Sequence, residues 1–417
     1  MRGFELRPAG GQPQDSDFIQ LVWGSRDGQA GTISANLDPW LADIGPVSSA
    51  AIDLVRIAAA AYMADRQVRR GEGYSRTIRI HVQVTDVEPW GDAVDDLARL
   101  LHWLTADLWD ISVAADELER PKPIEASEEP PEMVSLLSGG LDSMAGALAG
   151  PLEARRLFVG HSDNPTVKAS QDRTWSWLKD VLVEDCGYKQ VHLCEVATKQ
   201  ESSTRSRCLL FFALASGIAS ANGTRIVEVP ENGFTSLNPA LGNNRGGVLS
   251  TRSTHPWTIH QFQRILEKLD IDVLMRNPYE TLTKGELVAR ANRSIPIADG
   301  VPMTLSCGKL DGHFYKGGNP NHHCGLCVAC LTRRGAILAS GVRDDTPYLF
   351  ETLDAGQRSR LLGRRDADIR AVRAAVARDV DEFTLLAQGP YPEDYDLASA
   401  AELCRRGIAE LARALPT

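Results

Sequence analysis

The chain has 417 residues, 43% of them hydrophobic and 24% charged, which is close to a soluble globular average and enough for sizeable cores in two or three domains. Fifty-five acidic against 45 basic residues leave a formal charge of −10, which disfavours a protein that grips nucleic acid through non-specific phosphate contacts. No run of about 18 apolar residues occurs and MRGFELRPAGG lacks the apolar core of a signal peptide, so no membrane span and a cytoplasmic location are expected.

Residues 1–118 read as an α+β unit. FIQLVW (18–23) and TIRIHVQV (77–84) are expected strands, with ISVAA (111–115) a last one. Residues 46–68 and 91–109 carry apolar side chains at helical spacing. ELERPKPIEASEEPPE (117–132) has four prolines, six glutamates and almost nothing apolar, so 119–132 is placed as a linker. From 133 to 344 strands and helices alternate. MVSLL, 156–160, 190–196 and 225–229 are expected strands, and 165–184 and 204–221 expected helices. That alternation predicts an α/β domain whose parallel sheet is covered on both faces. Ligands in such sheets lie beyond the carboxyl ends of the strands, so the loops after 137, 160, 196 and 229 are expected to share a crevice. A long polar segment, 230–257, follows the fourth strand. Residues 345–417 read as a helical C-terminal extension.

SGGLDS (138–143) stands between the first of these strands and a helix. The first amides of a helix lack internal partners and, with the helix dipole, form an anion site. Gly139 and Gly140 let backbone approach an anion. Ser138 and Ser143 add hydroxyls, and Asp142 can cap the helix or help hold Mg²⁺ beside a triphosphate. A plain helix cap is the alternative, but the whole run in this context points to phosphate. No lysine follows the glycines, so this is not the G-x-x-x-x-G-K-[ST] loop. Cys307 and Cys324-x₂-Cys327-x₂-Cys330 form the second motif. Four cysteines in one short stretch of a cytosolic chain suit tetrahedral Zn²⁺, with an iron–sulfur cluster as the rival. The remaining cysteines, Cys186, Cys194, Cys208 and Cys404, are expected as buried small hydrophobes.

SGGLDS resembles the PP-loop of the ATP pyrophosphatase superfamily (adenine nucleotide alpha hydrolase-like). The resemblance implies ATP and Mg²⁺, cleavage between the α and β phosphates, and an adenylated intermediate. It puts Ser138, Gly139, Gly140, Leu141, Asp142 and Ser143 on the phosphates and Gly160 and His161 near the adenosine. With C…HCGxCxxCxxR added, residues 133 to about 340 resemble the QueC family, the 7-cyano-7-deazaguanine synthases. That resemblance makes Cys307, Cys324, Cys327 and Cys330 zinc ligands, followed by Arg333 or Arg334. It places Lys284, in NPYETLTKGELVARA, near the nucleotide, and RSRCLLFFALASGIA as the helix lining the site.

QueC proteins lack the N-terminal unit and the tail, and here 231–257 is longer than the usual loop. This pattern looks more like the QueC-like proteins of bacterial anti-phage defence, the QatC and type IV CBASS types. The implied reaction is adenylation of the carboxylate of 7-carboxy-7-deazaguanine and amide formation on a partner protein. Asp142 and Lys284 are its expected catalytic residues. Arg205, Arg207, Glu231, Asn232, Asn238, Arg252 and His255 are candidates for the purine-like edge or carboxylate. Ammonia as the amine with a free nitrile as product, tRNA thiolation, and a non-catalytic nucleotide-binding scaffold are the alternatives.

Overall fold

The computed structural model describes all residues except 1, 9, 24–31, 36–46, 72–74, 117–128, 183–185, 196–199, 242–250, 320 and 416–417. The expected linker therefore lies mostly outside the described residues. The first elements are β1 (Arg2–Pro8), β2 (Ile19–Trp23), β3 (Ile33–Ala35), α1 (Ser49–Gln67), β4 (Thr77–Val84), α2 (Ala93–Thr105) and β5 (Leu108–Ala115). Then come β6 (Met133–Leu136), α3 (Leu141–Ala149), β7 (Arg156–Ser162), α4 (Pro165–Val181), β8 (Gly187–Glu195), α5 (Arg207–Ala221), β9 (Ile226–Glu228) and α6 (Gly233–Leu237). They are followed by α7 (Pro256–Lys268), β10 (Leu274–Arg276), α8 (Lys284–Ser294) and α9 (Val328–Ser340). Helices α10 (Leu349–Thr352), α11 (Ala355–Val376), α12 (Glu382–Leu386) and α13 (Leu397–Ala412) end the chain.

Among the described residues the strands form one ten-stranded sheet in the order β10-β9-β6-β7-β8-β3-β2-β1-β4-β5. Each pairing described is parallel except one: β3 meets β8 antiparallel, with Ile33 opposite Glu195 and Ala35 opposite Leu193. The sequence reading places a domain boundary between 1–118 and the segment from 133. The three residues of β3 pair with β8 and join the strands of both segments in one sheet, a pairing that local pattern does not announce. The N-terminal half is itself a parallel sheet in the order β3-β2-β1-β4-β5.

Side chains of the two faces go to different cores, as the period-2 alternation of a strand requires. Val134, Leu136 and Val159 join a core that runs under α1, α2, α5 and α7 and takes in Phe4, Leu6, Ile57 and Leu101. Leu137, Leu141 and Phe158 join another, with α4 and α8. Helix α1 lies between the N-terminal sheet and α5 and is buried along almost its whole length, so its sequence is apolar nearly all round rather than on one stripe. At roughly 1.5–3 kcal/mol for each large aliphatic side chain removed from water, Leu54, Val55 and Ile57 make this seam a main stabilising contact.

Charges at the seam are paired. Arg66 of α1 binds Asp163, just beyond β7, at 2.6 Å, and Tyr62 donates to the same carboxylate at 2.8 Å. Asp65 accepts from Ser203 and Ser206 at the start of α5, at 2.6 and 2.9 Å. A third core holds the tail helices α11 and α13 together with Cys307, Cys324, Cys327 and Cys330. Helix α13 comes close enough that a Cβ on Gly335 of α9 would meet the carbonyl oxygen of Glu410 at 2.3 Å. Among the described residues no helix is long and apolar enough to cross a membrane.

Candidate functional site

The glycine turn sits at the carboxyl end of β6, beside β9 and β7. Gly139 has φ +79°, a left-handed backbone, and a Cβ there would lie 2.9 Å from the amide nitrogen of Gln171. Both facts require glycine. Gly140 is the N-cap of α3, so the turn delivers the free amides of that helix to the crevice. Ser143 Oγ donates to Gly140 O at 3.0 Å, and Ser138 Oγ lies 3.2 Å from Ser143 Oγ.

Asp142 is one residue into α3 and buried. Its carboxylate is bound by Lys284 Nζ and accepts from Asn232 Nδ2 at 3.1 Å. Lys284 comes from the first turn of α8, where Thr283 and Glu286 form a capping box. Glu410 of α13 accepts from Thr283 Oγ1 and from the Gly285 amide, so the C-terminal helix braces the turn that presents Lys284. Burial pushes the Asp142 carboxyl up, but Lys284 and bonds from Glu231, Lys284 and Asn232 hold it below the ordinary value. Glu231 beside it is pushed well above, by burial and then by the Asp142 charge. The two acidic groups at the turn are therefore shifted in opposite directions, Asp142 down and Glu231 up.

Two cavities meet here. The larger, about 460 Å³, is walled by Ser138, Gly140, Asp142, Glu231 and Lys284 on one side and by Leu305, Ser306, Lys309 and Val328 on the other. The smaller, about 230 Å³, lies against α5, with Arg207, Cys208, Phe211 and Phe212 in its wall. Ser138, Glu231 and Thr251 border both.

The four cysteines are gathered on the far wall. Their sulfurs all lie within 4.8 Å of one another, with Cys307 and Cys327 4.0 Å apart and Cys324 and Cys330 3.8 Å apart. Zinc–sulfur bonds of about 2.3 Å at tetrahedral angles put sulfurs near 3.8 Å apart. The cluster therefore fits a tetrahedral thiolate metal, which these four residues could hold. Amides of Cys324 and Cys327 point at Cys307 and Cys324 sulfurs at 3.5 and 3.2 Å, and Arg365 Nε lies 3.5 Å from Cys324 Sγ. Arg333 is buried and bonds Thr304 Oγ1 and Val301 O, fixing the run that leads to Cys307, whereas Arg334 pairs with Glu351.

The two motifs touch. Leu305 N–H donates to Gly139 O at 2.8 Å, Leu141 N–H to Ser306 Oγ at 3.3 Å, and Ser306 N–H to His323 Nε2 at 2.9 Å. The residues next to Cys307 and Cys324 thus hold the glycine turn from outside.

The remaining expected site residues divide. Glu231 and Asn238 line the larger cavity and Arg207 the smaller. Asn232 lies behind Asp142 and caps α6 through Thr235 N at 2.9 Å. Gly160 and His161 line neither cavity. His161 is fully buried, with Nε2 3.0 Å from Leu193 O and its ring edge-on to Tyr62. Burial, then Arg207, lowers its pKa to about 3. Arg205 turns to Thr105 O at 3.2 Å. Arg252 lies 3.7 Å over the Trp103 ring, and His255 caps α7 against the same indole. These three reach α2 of the N-terminal half rather than the cavities. Of the scattered cysteines, Cys208 and Cys404 are buried and Cys186 and Cys194 half-buried. Ser306, Lys309 and Asp368 line the larger cavity without having been expected there. Ser306 alone carried a signal, as the neighbour of Cys307.

A 7-cyano-7-deazaguanine synthase from Sinorhizobium fredii is 38% identical over 200 residues, which are 47% of this chain and 72% of the relative. The chain belongs to the 7-cyano-7-deazaguanine synthase family. The synthase from Rhizobium meliloti is 30% identical with the same coverage, and that from Methanococcus maripaludis 29% over 150 residues, 35% of this chain and 56% of the relative. The chain thus spans little more than half the length of the Methanococcus synthase. No family model matches. The α/β fold with parallel strands and a four-cysteine cluster is consistent with the synthase family, and this chain also carries a helical C-terminal region.

Proposed function

We propose that the protein uses ATP to activate the carboxylate of a 7-carboxy-7-deazaguanine-like substrate and transfers the acyl group to an amine. The observation that supports this most directly is the meeting of Asp142 and Lys284 at the cavity edge formed by SGGLDS, in a chain of the synthase family. In this reading the backbone amides of Gly140 and Leu141 and the hydroxyls of Ser138 and Ser143 bind pyrophosphate. A substrate carboxylate oxygen attacks the α-phosphorus, the bond to the bridging oxygen breaks, and pyrophosphate leaves. The amine then attacks the acyl carbon, loses a proton, and AMP departs with the former carboxylate oxygen.

Positioning and fixed charge carry such chemistry. Lys284 releases Asp142 to neutralise the departing phosphates. Asp142 would then be free to hold Mg²⁺, which would supply further positive charge beside the phosphates. The thiolate metal would be structural: Cys307, Cys324, Cys327 and Cys330 would hold it, and Leu305 and Ser306, which lead to Cys307, would thereby keep their place against the turn. We place the acceptor amine on a partner protein in an anti-phage defence system, in keeping with the resemblance to QatC-type proteins. The relatives' name favours a second reading, in which ammonia is the amine and a second ATP activates the amide oxygen, which leaves with AMP to give a nitrile.

Incubation with ATP and 7-carboxy-7-deazaguanine is expected to yield AMP and pyrophosphate, and absence of both refutes the proposal. With ammonia added, a nitrile mass selects the second reading. A deazaguanine mass on a co-expressed partner protein selects the first.

A further inference from the structure

Helix α13 grips the elements that hold Asp142. Lys284 is the first residue of α8 and Asn232 caps α6, so two of the groups that bind the Asp142 carboxylate come from helix starts. Gly233 N–H donates to Leu282 O at 2.8 Å and ties the two starts together. One face of α13 closes over them. Arg406 Nε donates to the Glu286 carboxylate at 2.9 Å, and Arg406 Nη2 to Thr281 O at 3.1 Å. Four residues on, and so on the same face, Glu410 accepts from Thr283 Oγ1 and, at 2.9 Å, from Gly285 N–H. Between them, Gly407 lies so close to α6 that a Cβ there would come within 2.3 Å of the Phe234 ring. Thr283 and Gly285, the two residues that Glu410 holds, flank Lys284 in sequence and are buried with it. Arg406, Gly407 and Glu410 all lie outside residues 133–340, on which the sequence resemblance rests.

We propose that Glu410 is a positioning residue for the reaction: it sets Lys284 against Asp142 and the departing phosphates, which makes the C-terminal helix part of the catalytic site. Resting on the ATP-activation reading above, the inference adds which distant part of the chain that chemistry depends on. The first amides of a helix have no partners within it. In α8 the Thr283 hydroxyl accepts from Glu286 N–H at 3.1 Å, and Glu410 takes the Gly285 N–H from outside the helix. The backbone of Lys284 is thus held on both sides by one side chain of α13. Without Glu410 the Gly285 N–H is left buried and unsatisfied, and the turn shifts to find it a partner. A shift of about 1 Å is enough to spoil the alignment of a reacting group. In this reading Lys284 meets charge that develops as pyrophosphate leaves, so its placement bears on kcat and not on ATP binding.

The test is a double-mutant cycle on the full chain, read as pyrophosphate release from ATP and 7-carboxy-7-deazaguanine. Glu410→Ala is expected to lower kcat about 10-fold or more and to leave KM for ATP unchanged. Glu410→Gln is expected to restore most of kcat, because its amide oxygen can accept from Gly285 N–H while its NH₂ donates to Thr283 Oγ1. In the Lys284→Met background, Glu410→Ala is expected to cost nothing further, since the group it positions is gone. A loss of folded protein would instead lower the rate by the same factor in both backgrounds. That equal loss, or a Glu410→Ala that keeps the wild-type kcat, overturns the assignment while the ATP-activation reading survives. A wild type that releases no pyrophosphate overturns both.

Discussion

Lys284 is the residue through which the site is most readily broken. It is buried, it binds Asp142, and its helix turn is braced by Glu410. Lys284→Met keeps the stem and removes the charge. Without a cation to offset the departing phosphates, pyrophosphate release is expected to fall by about 10²–10³-fold, read in a pyrophosphate-coupled assay against Asp142→Asn, which should fall comparably. An unchanged rate in both would remove the pair from the chemistry. Histidine burial has a separate, pH-dependent consequence. His161 and His255 are each lowered to about 3, by burial first and by Arg207 and Arg252 next. Both stay neutral in the fold, while the unfolded chain protonates them below about pH 6.5. Stability therefore falls as pH drops from 6.5, by about 1.4 kcal/mol per pH unit for each histidine. Urea unfolding at pH 7 and pH 5 should show this, and His161→Gln should shrink the difference by about 2 kcal/mol.

Among the elements, the strand-to-helix turn and the cysteine loops behave as one unit. Leu305 and Ser306 bond the turn directly and Cys307 follows them in sequence. Loss of the thiolate-bound metal should therefore disturb a phosphate site that contains none of the four cysteines. Dialysis against a strong chelator, or Cys330→Ser, is expected to weaken ATP binding by about 10-fold or more as its backbone amides lose their fixed position. Calorimetric titration with ATP, alongside elemental analysis of the same samples, checks this; full ATP affinity in metal-free protein would contradict it. Much at this scale was readable from local pattern. Thr77–Val84 alternates and became β4 with those bounds, and SGGLDS and the cysteine spacing carry their geometry in a few adjacent residues. Arg252 and His255 were misleading for the opposite reason. Their polarity suggested ligand contact, and only the packing of Trp103 from α2 shows where their side chains go. Asp368 was hidden the same way: a charge on a helix rich in charges reads as solvent-facing until its neighbours across the core are known.

At the scale of the whole molecule, the N-terminal half and the half from β6 onward share a sheet and a core, so each stabilises the other. Arg66, Tyr62 and Asp163 fasten the end of α1 to the end of β7. Burial raises the pKa of Asp163 and Arg207, Arg66 and Tyr62 lower it, for a net value of about 2. Arg66→Met leaves Asp163 with less compensation, and the unfolding free energy is expected to fall by about 3 kcal/mol, measured by urea titration of the full chain. A change under about 0.5 kcal/mol would mean the seam relies on its apolar contacts alone.

The antiparallel pairing of β3 with β8 also sets a direction. Because each half is parallel within itself, reversing one pairing turns the N-terminal half end for end. Its strands begin on the side where those of the other half finish. The carboxyl ends of β1 and β4 thus lie on the opposite rim of the sheet from the glycine turn, and the amino ends of the same strands lie on the turn's side.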